Sequence, residues 1–210
     1  MKFVLLILNC KKYAHKATVQ KQTWLADMDN YFHVIGDKDI CKDNAYHFDQ
    51  ENKILYTNTG DDYNSLPAKV ITAFKAVHET MSVDYIFKTD DDQRLIQPNF
   101  FNVLSTILTA KLKSDDTKIY YGGNAININT HVSRYYIEHP ELPHDNILEA
   151  CTYCNGRFYL LHIDAVTNLL PKYDAICSRV IEDHAIGFYL DEHIRDKILI
   201  IHNDKVFKDY

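Results

Sequence analysis

Val83-Asp84-Tyr85-Ile86-Phe87-Lys88-Thr89-Asp90-Asp91-Asp92 carries the strongest structural signal in the chain. An apolar, aromatic run ends in three consecutive carboxylates. Tyr85, Ile86 and Phe87 favour burial in a sheet, whereas Asp90 to Asp92 cannot be buried unpaired. A core strand whose C-terminal end opens into an acidic loop reconciles the two. Ligands of open α/β sheets gather at that edge. Three adjacent carboxylates repel one another unless a cation sits among them, and oxygen-rich sites suit Mg²⁺ or Mn²⁺ bridged to phosphate oxygens. Two readings stand side by side: a divalent metal site that holds a phosphorylated ligand, and a solvated acidic turn.

Strand and helix signals alternate on both sides of this stretch. Phe3 to Leu8 reads as a buried first strand. Lys16 to Met28 is expected to be helical, with Val19, Thr23, Trp24 and Met28 on one face. Tyr31 to Ile35 reads as a second strand ended by Gly36-Asp37, and Ile54 to Tyr56 as a short third. Ser65 is placed to cap a helix with Pro67 in its first turn, where a missing N–H costs nothing. Leu66, Val70, Phe74, Val77 and Met81 form the apolar stripe of that helix. Pro98 opens a further helix carrying Phe101, Leu104, Ile107 and Leu108. Ile119 to Tyr121 reads as a strand closed by Gly122-Gly123, and Arg157 to His162 as another. Val180 to Leu190 reads as a helix and Ile198 to Ile201 as the last strand. Ser114-Asp115-Asp116-Thr117 reads as a surface turn. Asn124 to Thr152 is long and irregular, a length usual for functional loops, and is expected to shape an acceptor pocket. Strands separated by helices imply an α/β fold with a mostly parallel sheet.

The 210 residues suit one domain, large enough to bury about 70% of the unfolded chain's surface. A net charge of −6 without a basic stripe argues against nucleic acid as a partner. The apolar run Phe3 to Leu8 is too short for a signal peptide or a membrane span. Cys10, Cys41, Cys151, Cys154 and Cys177 are odd in number and scattered, a poor disulfide framework. Cys151-Thr152-Tyr153-Cys154 has metal or redox spacing but lacks a second pair.

Six short segments, taken in order, resemble one known family. Thr23-Trp24 ends a basic helix, and Asp61-Asp62-Tyr63-Asn64-Ser65-Leu66-Pro67-Ala68-Lys69 is similar to Asp-Ser-Tyr-x-Asn-Leu-Thr-Leu-Lys. Phe87-Lys88-Thr89-Asp90-Asp91-Asp92 looks like the family's Asp-x-Asp segment, followed by Tyr121-Gly122-Gly123. Tyr153-Cys154-Asn155-Gly156 is similar to Tyr-Cys-Ser-Gly, and Ile181-Glu182-Asp183-His184-Ala185-Ile186-Gly187 to Glu-Asp-Val-x-x-Gly. They resemble the β-1,3-galactosyltransferase and fringe-like group, which has the GT-A glycosyltransferase fold. The resemblance implies a single GT-A domain over 1–210, its nucleotide-binding part at about 1–123 and its acceptor and catalytic part at about 124–210. It implies transfer of a hexose (glucose, galactose or N-acetylglucosamine) from a UDP-sugar to a glycan hydroxyl, with inversion. Family members are Golgi proteins with an anchor and disulfides; this chain reads as a cytoplasmic version, bacterial or virus-encoded, with room left for further domains after Tyr210. Arg157 and Phe158 stand where the family has glycines beside the sugar, and His184 replaces a Val.

The resemblance also distributes roles. Asp92 is the expected metal ligand, Asp90 the partner of the ribose or of a metal-bound water, and Asp91 a further donor-side residue. His202, after the last strand, is the expected late histidine ligand, which favours Mn²⁺ over Mg²⁺; its strand is expected to run alongside the acidic one. Asp183 is the expected base for the acceptor hydroxyl and Glu182 its neighbour, although two carboxylates at a helix start also suit the dipole alone. Asn9, Cys10 and Asp37 follow the first two strands, where a nucleobase would sit. Lys16, Lys21 and Lys69 are placed to reach phosphates or the base pocket, and Gly156 to let backbone approach the sugar. A Mg²⁺-dependent phosphohydrolase is the rival enzyme, but it wants a nucleophilic Asp where Asn9-Cys10 stands. A nucleotide-sugar-binding module without catalysis is the second rival.

Overall fold

The computed structural model describes residues 1–113 and 117–210. The turn expected at Ser114 to Thr117 therefore lies outside the described residues, apart from Thr117. Among the described residues there are twelve strands: β1 (Phe3–Leu8), β2 (Tyr31–Gly36), β3 (Tyr46–Asp49), β4 (Ile54–Thr57), β5 (Tyr85–Asp90), β6 (Gln93–Leu95), β7 (Tyr121–Ile128), β8 (His131–Val132), β9 (Ile147–Leu148), β10 (Cys151–His162), β11 (Leu199–Ile200) and β12 (Phe207–Asp209). The helices are α1 (Ala14–Gln22), α2 (Lys38–Cys41), α3 (Leu66–Thr80), α4 (Phe100–Lys111), α5 (Ile163–Leu169), α6 (Tyr173–Cys177), α7 (Glu182–Tyr189) and α8 (Glu192–Arg195). Eight strands form one sheet in the order β11-β7-β10-β5-β1-β2-β4-β3. Parallel pairings join β5, β1, β2 and β4, and also β11 to β7; β10 and β3 run against their neighbours. The expected α/β class with a mostly parallel sheet is thus what forms.

Period-two alternation splits the buried strands between two cores. Val4, Leu6 and Leu8 face the side covered by Val70, Phe74 and Val77 of α3 and by Ala185 and Ile186 of α7. Leu5, Ile7, Tyr85 and Phe87 face the other side, against Phe101, Leu104 and Leu108 of α4 and Phe207 of β12. The stripes read for α3 and α4 hold, except that Ile107 is exposed. Ser65 stands at the N-cap of α3, but the side-chain cap comes from Asp62, which accepts from the Ser65 amide at 3.0 Å.

Several boundaries differ from expectation, each for a tertiary reason. α1 stops at Gln22, and its buried side chains are Ala17 and Gln20, while Val19 is exposed. Gln20 turns inward because its amide meets the carbonyls of Asp90 and Gln93 and its oxygen meets His33 Nε2 at 2.9 Å. Gly122 and Gly123 do not close a strand; they lie inside β7. A Cβ on Gly123 would stand 2.7 Å from Cys154 Cβ and 3.0 Å from the Phe158 carbonyl, so neighbouring backbone requires glycine there. β7 takes the first residues of the stretch expected to be irregular, up to Ile128, and β10 its last two, from Cys151; the two strands pair with a register shift between Cys154 and Tyr159. The last expected strand, β11, pairs with β7, not with the acidic strand; β7 and β10 lie between β11 and β5. β12, unforeseen in sequence, pairs antiparallel with β6 and brings the C-terminal residues to the acidic edge.

Candidate active site

A cleft of about 1040 Å³ opens at the C-terminal ends of β1 and β5. The parallel pairing sets Leu8 beside Asp90, so the residues after both strands emerge together. Asn9 and Cys10 line one wall, Asp90, Asp91 and Asp92 the floor, and Gly156, Glu182 and Asp183 the opposite wall. With Lys69 of α3, nine of the expected site residues therefore share one cavity, from five regions distant in sequence.

Lys88 organises the back of this cleft. In β5 its side chain points to the same face as Asp90, two residues on. Its ammonium is 2.8 Å from Asp90 Oδ1 and 3.1 Å from Glu182 Oε2, and donates to the Gly156 carbonyl at 2.7 Å. Glu182 also accepts a short hydrogen bond from the Tyr159 hydroxyl. Asp183 is fixed by two backbone amides, of Gly156 and His184, both at 2.8 Å. Burial raises the carboxyls of Glu182 and Asp183 above their ordinary values, against the lowering pull of Lys88. Burial likewise pushes Asp90 up to about 6, although 36% of its side chain remains open to the cleft. The Lys88 ammonium, surrounded by three carboxylates, is raised despite its burial.

The outer carboxylates are held more lightly. Asp91 lies 3.2 Å from Lys16 Nζ, and burial pushes it up to about 6. Asp92 Oδ1 accepts from Gln93 Nε2 at 2.7 Å, and the same amide donates to Asp209 Oδ1 at 2.8 Å. Asp209, brought in by β12, is paired with Arg157 at 2.9 Å. Among the described residues, no three His, Cys, Asp or Glu side chains converge as a closed metal site. The carboxylate oxygens of Asp90 and Asp92 at an open edge do fit a hard divalent ion whose remaining ligands are water and phosphate. Asp92 makes no ion pair among the described residues, so its carboxylate is not already neutralised.

Other expected residues stand elsewhere or are otherwise engaged. His202 is exposed, does not line the cleft, and follows a strand two removed from β5, so the expected adjacency does not bring it to Asp92. Lys21 donates to the Asn52 carbonyl at 2.6 Å, away from the cleft, because α1 points it toward the turn before β4. Asp37 does not line the cleft either: its carboxylate caps α2 and pairs with Lys11 at 2.7 Å. Lys69 does line it but is fully buried, bonded to Asp61 Oδ1 at 2.7 Å and to the Asn9 carbonyl at 3.0 Å. Cys151 and Cys154 are buried free thiols, raised to about 11 and about 12 by burial.

Sequence reasoning passed over Lys88, Asp61, Arg157 and Asp209 as site members. A readable signal existed for Lys88: one lysine inside an otherwise buried run must find carboxylates. Asp209 had none, since its place depends on a strand pairing more than 110 residues away in sequence, at Gln93.

Among curated proteins none matches this chain. Solved structures similar to it include a glycosyltransferase involved in the glycosylation of the major capsid of PBCV-1, at 12% identity, covering 94% of this chain and 81% of that one with a TM-score of 0.49. The galactosyltransferase LgtC in complex with donor and acceptor sugar analogues is similar at 10% identity, over 93% of this chain and 72% of that one, with a TM-score of 0.43. HddC from Yersinia pseudotuberculosis is similar at 11% identity, over 100% and 93%, with a TM-score of 0.43. The galactosyltransferase family model matches residues 16–198, which takes in the acidic strand, the Gly156 turn and Glu182-Asp183 together. With that match over most of its length, the chain belongs to the galactosyltransferase family and is a glycosyltransferase with an α/β fold.

Proposed function

We propose that this enzyme moves a hexose (glucose, galactose or N-acetylglucosamine) from a UDP-sugar to a hydroxyl of a glycan acceptor, with inversion and with Mn²⁺ or Mg²⁺. The observation that carries the reading is the facing of Asp183 and the strand-end carboxylates across one cleft. A divalent ion held by Asp92 and Asp90 would supply Lewis acidity to the leaving diphosphate. Asn9 fits the nucleobase: its buried Oδ1 has no hydrogen-bond partner and could accept from an imide N–H. Cys10 lies beside it, and Lys16 stands at the diphosphate side through its pairing with Asp91. The first part of the chain, about 1–123, then carries the donor and the remainder the base and most of the acceptor side, to which Tyr63 is added from the first part.

Asp183 is the base that takes the proton from the acceptor hydroxyl. Its raised carboxyl suits that task better than an ordinary aspartate would. Two amide donors aim it, and Gly156 permits the approach, because a Cβ there would stand 3.3 Å from Lys88 Nζ and 3.4 Å from Asp183 Oδ2. Glu182 is tied to Lys88 and Tyr159, and so positions the cation instead of meeting the acceptor. Among the described residues no helix is long and apolar enough to cross a membrane, and the free thiols suit a reducing cytoplasm.

The test is a thermal-shift and turnover screen of UDP-, GDP- and CMP-sugars with Mn²⁺, Mg²⁺ or EDTA. UDP-hexoses with Mn²⁺ should stabilise the protein, and anomeric configuration read by NMR should invert. Tight UDP binding in EDTA, or preference for another nucleotide, overturns the reading.

A further inference from the structure

The wall of the cleft facing Asp183 is aromatic. Tyr63, Tyr135 and His139 line it together with the base. The Tyr63 ring stacks on His139, centroids 4.0 Å apart at 25°, and is steadied by the small core of Leu142, Leu148 and Ile181. Burial and the charge of Asp183 raise both tyrosine hydroxyls, so they remain protonated donors beside the base. A pyranose offers a C–H face and a rim of hydroxyls, and rings with polar tips complement both.

Charge narrows the class. Asp62 precedes Tyr63, and Glu141 Oε1 lies 3.6 Å from His139 Nδ1; both line the cleft. Of the three lysines that line the cleft, Lys69 and Lys88 are already paired, and Lys12 lies over the Tyr13 ring, 5.1 Å from its centroid. A carboxylated or phosphorylated sugar would meet repulsion at this wall. Tyr135 also forms the boundary of a second cavity of about 790 Å³, lined by Val132, Arg134, Tyr136 and Glu138. A chain whose reactive unit sits at Asp183 would pass Tyr135 and enter that cavity.

We propose that the acceptor is a neutral oligosaccharide of at least two pyranose units, gripped by Tyr63, His139 and Tyr135 and continued into the cavity beside Arg134. The proposal rests on the glycosyl-transfer reading of the cleft. Saturation-transfer NMR with neutral mono- and disaccharides, and with a disaccharide ending in a uronate, tests it on the whole protein with UDP and Mn²⁺ present. The neutral disaccharide should bind about tenfold more tightly than either comparison, equivalent to ~1.4 kcal/mol. Tyr135→Ala should weaken the neutral disaccharide by about tenfold, the order of one lost ring contact, and leave UDP affinity unchanged. Arg134→Ala, at an exposed side chain, should weaken the disaccharide but not the monosaccharide. Equal binding of mono- and disaccharide, preference for the uronate, or Tyr135→Ala acting on UDP instead overturns the proposal. Disaccharide binding without any sugar transfer would overturn the catalytic reading and leave this one standing.

Discussion

Lys69 and Lys88 are both buried at the floor of one cleft, yet they have opposite characters. Lys69 meets one carboxylate, Asp61, and one carbonyl, of Asn9. Asp61 in turn accepts from the amides of Gly36 and Lys11, so charge is balanced and every partner satisfied. Lys88 meets Asp90, Glu182 and the Gly156 carbonyl, with Asp183 close enough to feel it. One cation there faces three carboxylates. The balanced site holds the loops after β1 and β2 together. The unbalanced site stores negative charge at the place where a cation or a proton is wanted. Excess charge, not burial, separates the half of the floor proposed to react from the half that is structural.

The largest effect that would break this contrast is in catalysis. Asp183→Asn removes the base while keeping its size, and transfer should fall by about 10²–10⁴ with UDP affinity little changed. Loss of UDP binding by calorimetry would move Asp183 to the donor side. Next comes stability. Lys88→Met leaves buried carboxylates without their cation and should cost roughly 3–5 kcal/mol. Lys69→Met leaves Asp61 two backbone donors and should cost about 1–3 kcal/mol. Urea denaturation of the two variants decides; equal costs would erase the distinction.

A smaller effect is expected at the metal edge. Asp209 reaches Asp92 through Gln93, so Asp209→Ala should lower Mn²⁺-dependent UDP affinity on the order of tenfold, as loss of an outer hydrogen-bond partner does. His202→Ala should change it less. Titration calorimetry that ranks them the other way would restore His202 as a ligand.

The smallest effect is in pH. Folding raises Asp90 from its ordinary value to about 6, so the folded state binds the extra proton. The stability this group contributes is present below about 4 and is lost as pH rises through 6. Asp90→Asn should therefore gain on the wild type as pH goes from 5 to 7, while metal-dependent UDP binding in the wild type moves the other way. Denaturant midpoints at the two pH values measure it; a constant difference would show that Asp90 does not titrate there.

How much of this was legible follows from where each signal resides. β5 and its acidic end were readable because an apolar run and a carboxylate cluster are local. The α3 and α4 stripes were readable for the same reason. Glu182-Asp183 was readable only through its motif; its position opposite Asp90 depends on α7 packing beneath β10. β12 was not readable, because Phe207-Lys208-Asp209 is polar and short, and becomes a strand only against β6. Gln20 stands outside the face read for its helix, yet it is fully buried, since the carbonyls it satisfies come from Asp90 and Gln93. The strand before His202 shows the same limit: it can be found locally, but its neighbour in the sheet cannot.

Gly156 has a consequence for how acid and cation coexist in this cleft. Its N–H points at Asp183 and its carbonyl at the Lys88 ammonium. One residue of backbone thus bridges the two groups and keeps them out of direct contact, although the ammonium's charge still reaches the aspartate. A direct ion pair between Lys88 and Asp183 would quench the carboxylate as a proton acceptor. With these dipoles interposed, the ammonium steadies the wall and, on the proposed reading, leaves the aspartate an electron pair for the acceptor hydroxyl.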